Sequence, residues 1–515
     1  MTTDNPSPGR VVILGGGTAG WLSAANLSRT LGMRDIVLVE SSDIGIIGVG
    51  EGTFPTIRAT LAGLGISEGE FLAQADATFK QGVLFDGWAT GRDSYFHPFN
   101  MPIGGEGEAL LPHWLGQSAA QRRSFADSVT VQEQVIRAGR APKRAQDPDF
   151  SGPMNYAYHF DAARLADYLR TLAVAAGVER IEATVGDVAR HPDGDIAALI
   201  LSDGRRVEGE LFLDCSGFRA LLIGQTLGAG FVSCADVLFN DRALAMQVPY
   251  AHADEAVRPY TLATAHEAGW TWDIGLSGRR GIGYVYSSRH SSDEAAEAVL
   301  RGYVGAVGEG LSARQLRFAT GYRDRQWIGN CIAIGLSAGF FEPLESTGIM
   351  LIEAALRMVS EFATTDRSAR DAAARRFNAL MVARFERIVR FLKLHYCITR
   401  RTDTQYWRDN ADPASIPEDL QDMLAQWRHR PPSRFDFTVD HESFLPPSYH
   451  YILYGMGFET RLGDPARYPG ADAARDAFAK VAAAAPAALA NLPDHRALLN
   501  HYRARHGSTP ARVFS

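Results

Sequence analysis

Val11-Val12-Ile13-Leu14 runs directly into Gly15-Gly16-Gly17-Thr18-Ala19-Gly20, and Trp21 to Leu31 then carries apolar residues at helical spacing. The order reads as strand, glycine turn and helix. Glycines let the backbone turn tightly and approach a pyrophosphate, whose charge is favoured by the unpaired N–H groups and dipole of the helix N-terminus. Gly15, Gly17, Thr18, Ala19 and Gly20 are therefore candidate cofactor-binding residues. A second strand, Ile36-Val37-Leu38-Val39, ends in Glu40, where a carboxylate can accept from a ribose hydroxyl and disfavours a 2′-phosphate. FAD or NAD is expected over NADP.

Two later segments favour FAD. Leu211-Phe212-Leu213-Asp214-Cys215-Ser216-Gly217 and Cys331-Ile332-Ala333-Ile334-Gly335-Leu336-Ser337-Ala338-Gly339 are apolar strands running into small residues, which suits a sheet edge touching a long cofactor. Each alone also reads as an ordinary buried strand. Their order after the glycine turn tilts the reading, and adds Asp214 and Gly335 to the cofactor set.

The chain of 515 residues is long enough for a large core, and 46% hydrophobic with 22% charged residues is the balance of a soluble globular protein. A net charge of −7 leaves no electrostatic footprint for nucleic acid. The arginines between Arg370 and Arg390 alternate with apolar residues at helical spacing and read as a solvated helix face. Cys215, Cys234, Cys331 and Cys397 are far apart, with no CxxC pair, so a reduced cytoplasmic protein without a metal site is expected. The start, Met1 to Arg10, lacks a signal-peptide pattern, and no stretch is long and apolar enough for a membrane span. Ala471 to Leu492, interrupted by Pro486, reads as a surface helix pair.

The expected fold class is α/β: an FAD-binding Rossmann-like module of the glutathione-reductase or aromatic-hydroxylase type, with an inserted β-sheet and a mostly helical C-terminal layer, in a single compact unit. The module is expected over 8–365, discontinuous in about 8–90, 150–225 and 315–365. Substrate-side insertions fill 91–149 and 226–314, and 366–515 forms the helical covering. Arg242 to Val248 and Gly281 to Tyr286 are strand-like. Ile349, Ile352, Leu356, Val359 and Phe362 share one helical face, and Phe377, Leu380, Met381, Phe385, Ile388 and Leu392 repeat the pattern.

Glu345-Ser346-Thr347-Gly348 immediately precedes the Ile349 helix. Ser346 and Thr347 are good N-cap residues, and the free N–H groups of the first turn suit a small anion beside the Glu345 carboxylate. A Ser-Thr-Gly in this place is commonly only a cap. Lys80, in Phe79-Lys80-Gln81-Gly82, reads by itself as a surface lysine on a helix, and Trp270 and Trp272 as core aromatics.

Taken in order, Gly15 to Trp21, Gly48-Val49-Gly50-Glu51-Gly52-Thr53, Phe79-Lys80, Trp270-Thr271-Trp272-Asp273-Ile274 and Glu342-Pro343-Leu344-Glu345-Ser346-Thr347-Gly348 resemble the flavin-dependent tryptophan halogenase family, from about Val11 to Phe458. The resemblance implies a halogenating oxidoreductase. Reduced FAD, from a separate NADH-dependent flavin reductase, would react with O2 to a C4a-hydroperoxide. A chloride or bromide ion at Thr347 and Gly348 would yield hypohalous acid, and Gly50 would join the cofactor site. Lys80 would bind the oxidant and present it to the ring, and Glu345 would assist proton loss. Trp270 and Trp272 would separate flavin from substrate. His97 and Phe99 would stack on an aromatic ring, with Phe444 on its other face. A homodimer is compatible with the resemblance.

Two departures are visible. Gly275 stands where the family's tryptophan motif commonly has proline, which leaves the stiffness of that wall open. Between Trp427 and Phe444 there is no Tyr-Tyr-then-Glu stretch of the kind that clamps the ammonium and carboxylate of tryptophan. An unpaired zwitterion in such a slot would cost several kcal/mol, on the order of a lost buried hydrogen-bond set. The expected substrate is indole or another electron-rich aromatic, with no nucleic-acid or membrane partner. The alternatives are a flavin aromatic monooxygenase and a non-catalytic flavin-binding redox module.

Overall fold

A computed structural model of the chain describes residues 9–42, 50–105, 107–118, 120, 122–364, 366–437, 443–464 and 467–507. Gly48 and Val49 of the second glycine motif, and the chain start before Gly9, lie outside them. The opening apolar run forms the strand Val11–Leu14, central in a six-stranded sheet. Its neighbours are Ile36–Glu40 on one side and Leu211–Asp214 on the other, both parallel to it. Glu179–Glu182 and Cys331–Ala333 continue the parallel order outward, and Trp327–Ile328 closes one edge antiparallel. Helices cover the sheet, so the central strands are buried on both faces, which explains runs such as Val11-Val12-Ile13 without polar alternation.

Register decides where a ligand can sit. Leu14 lies opposite Asp214 and Val39, and Asp214 opposite Ala333. The glycine turn, Glu40, Cys215 and Gly335 therefore fall along one carboxyl-terminal edge, where open α/β sheets bind ligands.

A second, seven-stranded sheet runs in the order Arg314–Arg317, Arg242–Pro249, Arg279–Tyr286, Gly269–Gly275, Thr261–Ala265, Gly82–Asp86, Ser94–Pro98. The strand Gly82–Asp86, expected within the first piece of the nucleotide module, belongs here and pairs parallel with Thr261–Ala265. Gly82 makes the change of sheet: its φ is +150°, and a methyl group there would lie 2.2 Å from the His97 carbonyl oxygen. Lys80 ends the preceding strand, Thr78–Lys80, which with Gly50–Gly52 flanks Ala157–Asp161. Because Gly82 pairs with Pro98 and Phe99 N donates to the Gln81 carbonyl, Lys80 is brought beside Phe99.

The C-terminal part is mostly helical, beginning with Thr347–Phe362 and Arg367–Cys397. Two expectations change. Ala471–Asn491 is one helix through Pro486, not a pair; the exposed proline costs about 3 kcal/mol in a helix interior, and the surrounding alanines are the best helix formers. The arginines of Arg367–Cys397 are not simply solvated, since Arg370 pairs with Asp195 and Arg390 with Asp419, tying the helix to its neighbours.

Candidate active site

The nucleotide edge is shaped for close approach. A methyl group at Gly15 (φ +117°) would lie 2.2 Å from the Cys215 carbonyl oxygen, and one at Gly20 only 1.8 Å from the Gly15 carbonyl oxygen. One at Gly335 (φ +75°) would meet Ala19 at 2.8 Å. Gly17 is different. It precedes the Thr18–Ala25 helix without a side-chain cap, and no atom lies within 4 Å of where its Cβ would stand. An uncapped helix N-terminus facing open space fits the pyrophosphate of a dinucleotide.

Two candidate cofactor residues are otherwise engaged. Glu40 accepts from Arg180 Nε at 2.5 Å and Trp21 Nε1 at 3.2 Å. Asp214 is fully buried and accepts from Ser216 N and Oγ and from Leu222 N and Ile223 N. Its carboxylate shapes the turn after its strand rather than reaching outward. Gly50 is buried, and a methyl group there would meet Ile274 and Leu276 at 3.6 Å, an ordinary contact, so its strand lies against the tryptophan strand.

Lys80 is not a surface lysine on a helix. It is fully buried at the end of a strand, with Nζ donating to Ser346 Oγ at 2.9 Å and to the Thr53 carbonyl at 3.4 Å. Nζ also stands 5.3 Å from the centre of the Phe99 ring. Gly52 closes this corner, since a methyl group there would lie 2.7 Å from Ser346 Oγ and 3.1 Å from Lys80 Nζ. Burial pulls the ammonium pKa down to about 8, with Glu345 opposing part of that shift.

The loop that meets Lys80 has unusual backbone. Glu345 has φ 63° and Ser346 φ 58°, left-handed values in two successive residues that carry a Cβ. Ser346 precedes the Thr347–Phe362 helix but makes no capping hydrogen bond, because its hydroxyl accepts from Lys80 instead. That corrects the expected N-cap and leaves the first-turn N–H groups without it. Thr347 is buried, whereas Gly348 is exposed, with no atom within 4 Å of its Cβ position.

Glu345 is buried between two imidazoles: Oε1 is 2.7 Å from His97 Nδ1 and 3.1 Å from His395 Nε2. Burial would raise its pKa, but the His97 charge and the hydrogen bonds of both rings outweigh it and hold the carboxyl well below the usual range. His97, expected only to stack on a ring, thus also serves the carboxylate. His395 was not legible as a site residue, lying 50 positions away on the Arg367–Cys397 helix.

Aromatic rings pack beside this corner. Phe444 stacks on Phe391 at 3.8 Å and packs edge-on against Phe54, which is 6.3 Å from Phe99. Trp270 and Trp272 are buried in Gly269–Gly275, 6.4 Å apart. Trp270 Nε1 donates to Glu342 Oε2 at 2.8 Å, which ties the strand to the Glu342–Gly348 loop. The strand stays paired through Gly275, whose carbonyl accepts from Thr78 Oγ1 at 2.5 Å.

All four cysteines are free and buried. Among the described residues there is no cluster of metal-ligating side chains and no helix long and apolar enough to cross a membrane.

The sequence model of tryptophan halogenases matches residues 10–468. Tryptophan 6-halogenase SttH of Streptomyces toxytricini is 37% identical, over 89% of this chain and 90% of its own. A crystal structure of a tryptophan halogenase from Shewanella frigidimarina superposes with a TM-score of 0.92 at 38% identity, covering 98% of this chain and 99% of that one. A flavin-dependent halogenase from Xanthomonas campestris gives 0.88 at 36% identity, covering 98% and 100%. These likenesses decide against the monooxygenase and the non-catalytic flavoprotein: the chain belongs to the tryptophan halogenase family and is a flavin-dependent halogenating enzyme.

Proposed function

We propose that this enzyme halogenates a free, electron-rich aromatic of the indole type, with Lys80 presenting the oxidant and Glu345 removing the ring proton. The observation that carries the reading is a fully buried lysine amine donating to Ser346, beside Phe99, on the same loop as a buried carboxylate held by two imidazoles. Gly15, Gly17, Thr18, Ala19, Gly20, Glu40 and Gly335 line the proposed cofactor edge, with Asp214 shaping it, and Gly50 joins the site from the Gly50–Gly52 strand of another sheet. These residues would hold reduced FAD delivered by a separate NADH-dependent reductase, and the bound cofactor would supply hypohalous acid from O2 and bromide or chloride.

Thr347 and Gly348 hold the halide at the uncapped helix start. A lysine ammonium donates to the oxygen of hypohalous acid, making the halogen more electrophilic and fixing its direction. His97, Phe99 and Phe444 bound the ring, and Trp270 and Trp272 keep it from the flavin. This role of Lys80 requires the ammonium. Halogenation is therefore expected to fall as pH rises through about 8, well below an ordinary lysine, which a pH profile of product formation checks.

The substrate class is inferred from the stretch between Trp427 and Phe444, which lacks a Tyr-Tyr-then-Glu run. In that stretch Arg430 and Asp436 pair with each other; residues 438–442 lie outside the described set. With reductase, NADH, FAD and bromide, kcat/KM for indole should exceed that for tryptophan about tenfold or more. A higher value for tryptophan would overturn the substrate reading.

A further inference from the structure

The geometry points to His395 as a positioning residue for proton removal, holding the Glu345 carboxylate charged and turned so that one oxygen stays available to the ring. This rests on the function proposed for Glu345. His395 Nδ1 lies 2.9 Å from the Phe391 carbonyl oxygen, which can only accept, so Nδ1 carries a hydrogen. Its Nε2 then faces Glu345 Oε1 at 3.1 Å, and a proton must lie on that contact too. His97 Nδ1 meets the same Oε1 at 2.7 Å. Both rings therefore engage one oxygen, and no hydrogen bond to Oε2 is present among the described residues.

The side chains of Glu345 and His395 are 1% and 0% exposed. A carboxylate without partners at such a place takes up a proton, and a carboxylic acid cannot accept another. The other groups facing it are Lys80 from Thr78–Lys80, and His97 and Tyr95 from Ser94–Pro98. Glu342, three residues earlier on the loop, bears on His395 from behind.

The step balances. A π-electron pair of the arene forms the carbon–halogen bond as the oxygen–halogen bond of hypohalous acid breaks. The oxygen leaves as water with a proton from Lys80. The C–H bond of the cationic ring breaks, its electrons restore aromaticity, and the proton goes to Glu345 and returns to the Lys80 amine.

The test compares His395→Gln, which keeps an N–H donor without charge, with wild type, using indole and bromide. Expected for the variant are a kcat lower by about ten- to a hundredfold, an unchanged KM and unchanged FAD binding. A decline in kcat on acidification should enter the profile at least about one pH unit above any in wild type. Perdeuterated indole should show a primary isotope effect on kcat in the variant that wild type lacks. In the Glu345→Gln background the His395→Gln effect should vanish. A kcat loss with an unshifted profile and no isotope effect, or with full additivity to Glu345→Gln, overturns the proposal. Wild-type protein that makes no halogenated indole at all would instead remove the functional reading on which it rests.

Discussion

Lys80→Ala should lower halogenated product by about a thousandfold, the scale at which a positioned electrophile and its charged donor are lost. FAD binding, O2 consumption and peroxide release should stay near wild type, because Nζ contacts Ser346, the Thr53 carbonyl and Phe99 rather than the glycine edge. Removing a fully buried side chain also leaves a cavity, so Lys80→Met, which nearly keeps the volume, is the companion variant. Both should be equally inactive if the ammonium matters and not the packing. The assay is product quantification by mass spectrometry with catalase and a hypohalous-acid scavenger present; near-normal product would make the lysine structural.

Glu345→Gln should lower kcat about a hundredfold, within the range for loss of a positioned base. The amide keeps the size of the side chain and one oxygen for His97 or His395, but it cannot accept the ring proton. KM for the aromatic and binding of FAD should change little. Steady-state kinetics decide it: an unaltered kcat would show that another group, or water, takes the proton.

The parts of the fold that were legible in the sequence are those coded locally. Val11–Leu14 followed by Gly15-Gly16-Gly17 carries its own strand, turn and helix start, and the spacing of Ile349, Ile352 and Leu356 gives a helix face directly. Features created by distant contacts were not legible. Gly82 shows a glycine but not the close His97 carbonyl that makes it the exit to another sheet. Pro486 signals a break that the exposed side of an alanine-rich helix tolerates. Ser346 has the composition of a cap, yet the ammonium of Lys80, 266 residues earlier, takes its hydroxyl.

The same division runs through the site. Lys80 and the Glu345 loop were singled out by motif, and the structure brings them together. Gly52, Phe391 and His395 were missed as site residues because a glycine, a phenylalanine and a histidine in those segments satisfy ordinary structural roles. A histidine four residues after Phe391, at the buried end of a helix otherwise rich in arginine, was the available signal for His395.

The central claim is that oxidant reaches the ring inside the protein, through Lys80. It is tested most directly by one reductase-coupled turnover experiment with FAD, bromide and indole, in which catalase and excess hypohalous-acid scavenger remove every free oxidant and the products are read by mass spectrometry. Bromoindole that persists at undiminished yield with wild type, and disappears with Lys80→Met, is the predicted result. Bromoindole abolished by the scavenger in wild type, hydroxylated indole in its place, or equal yields from the two proteins would contradict it.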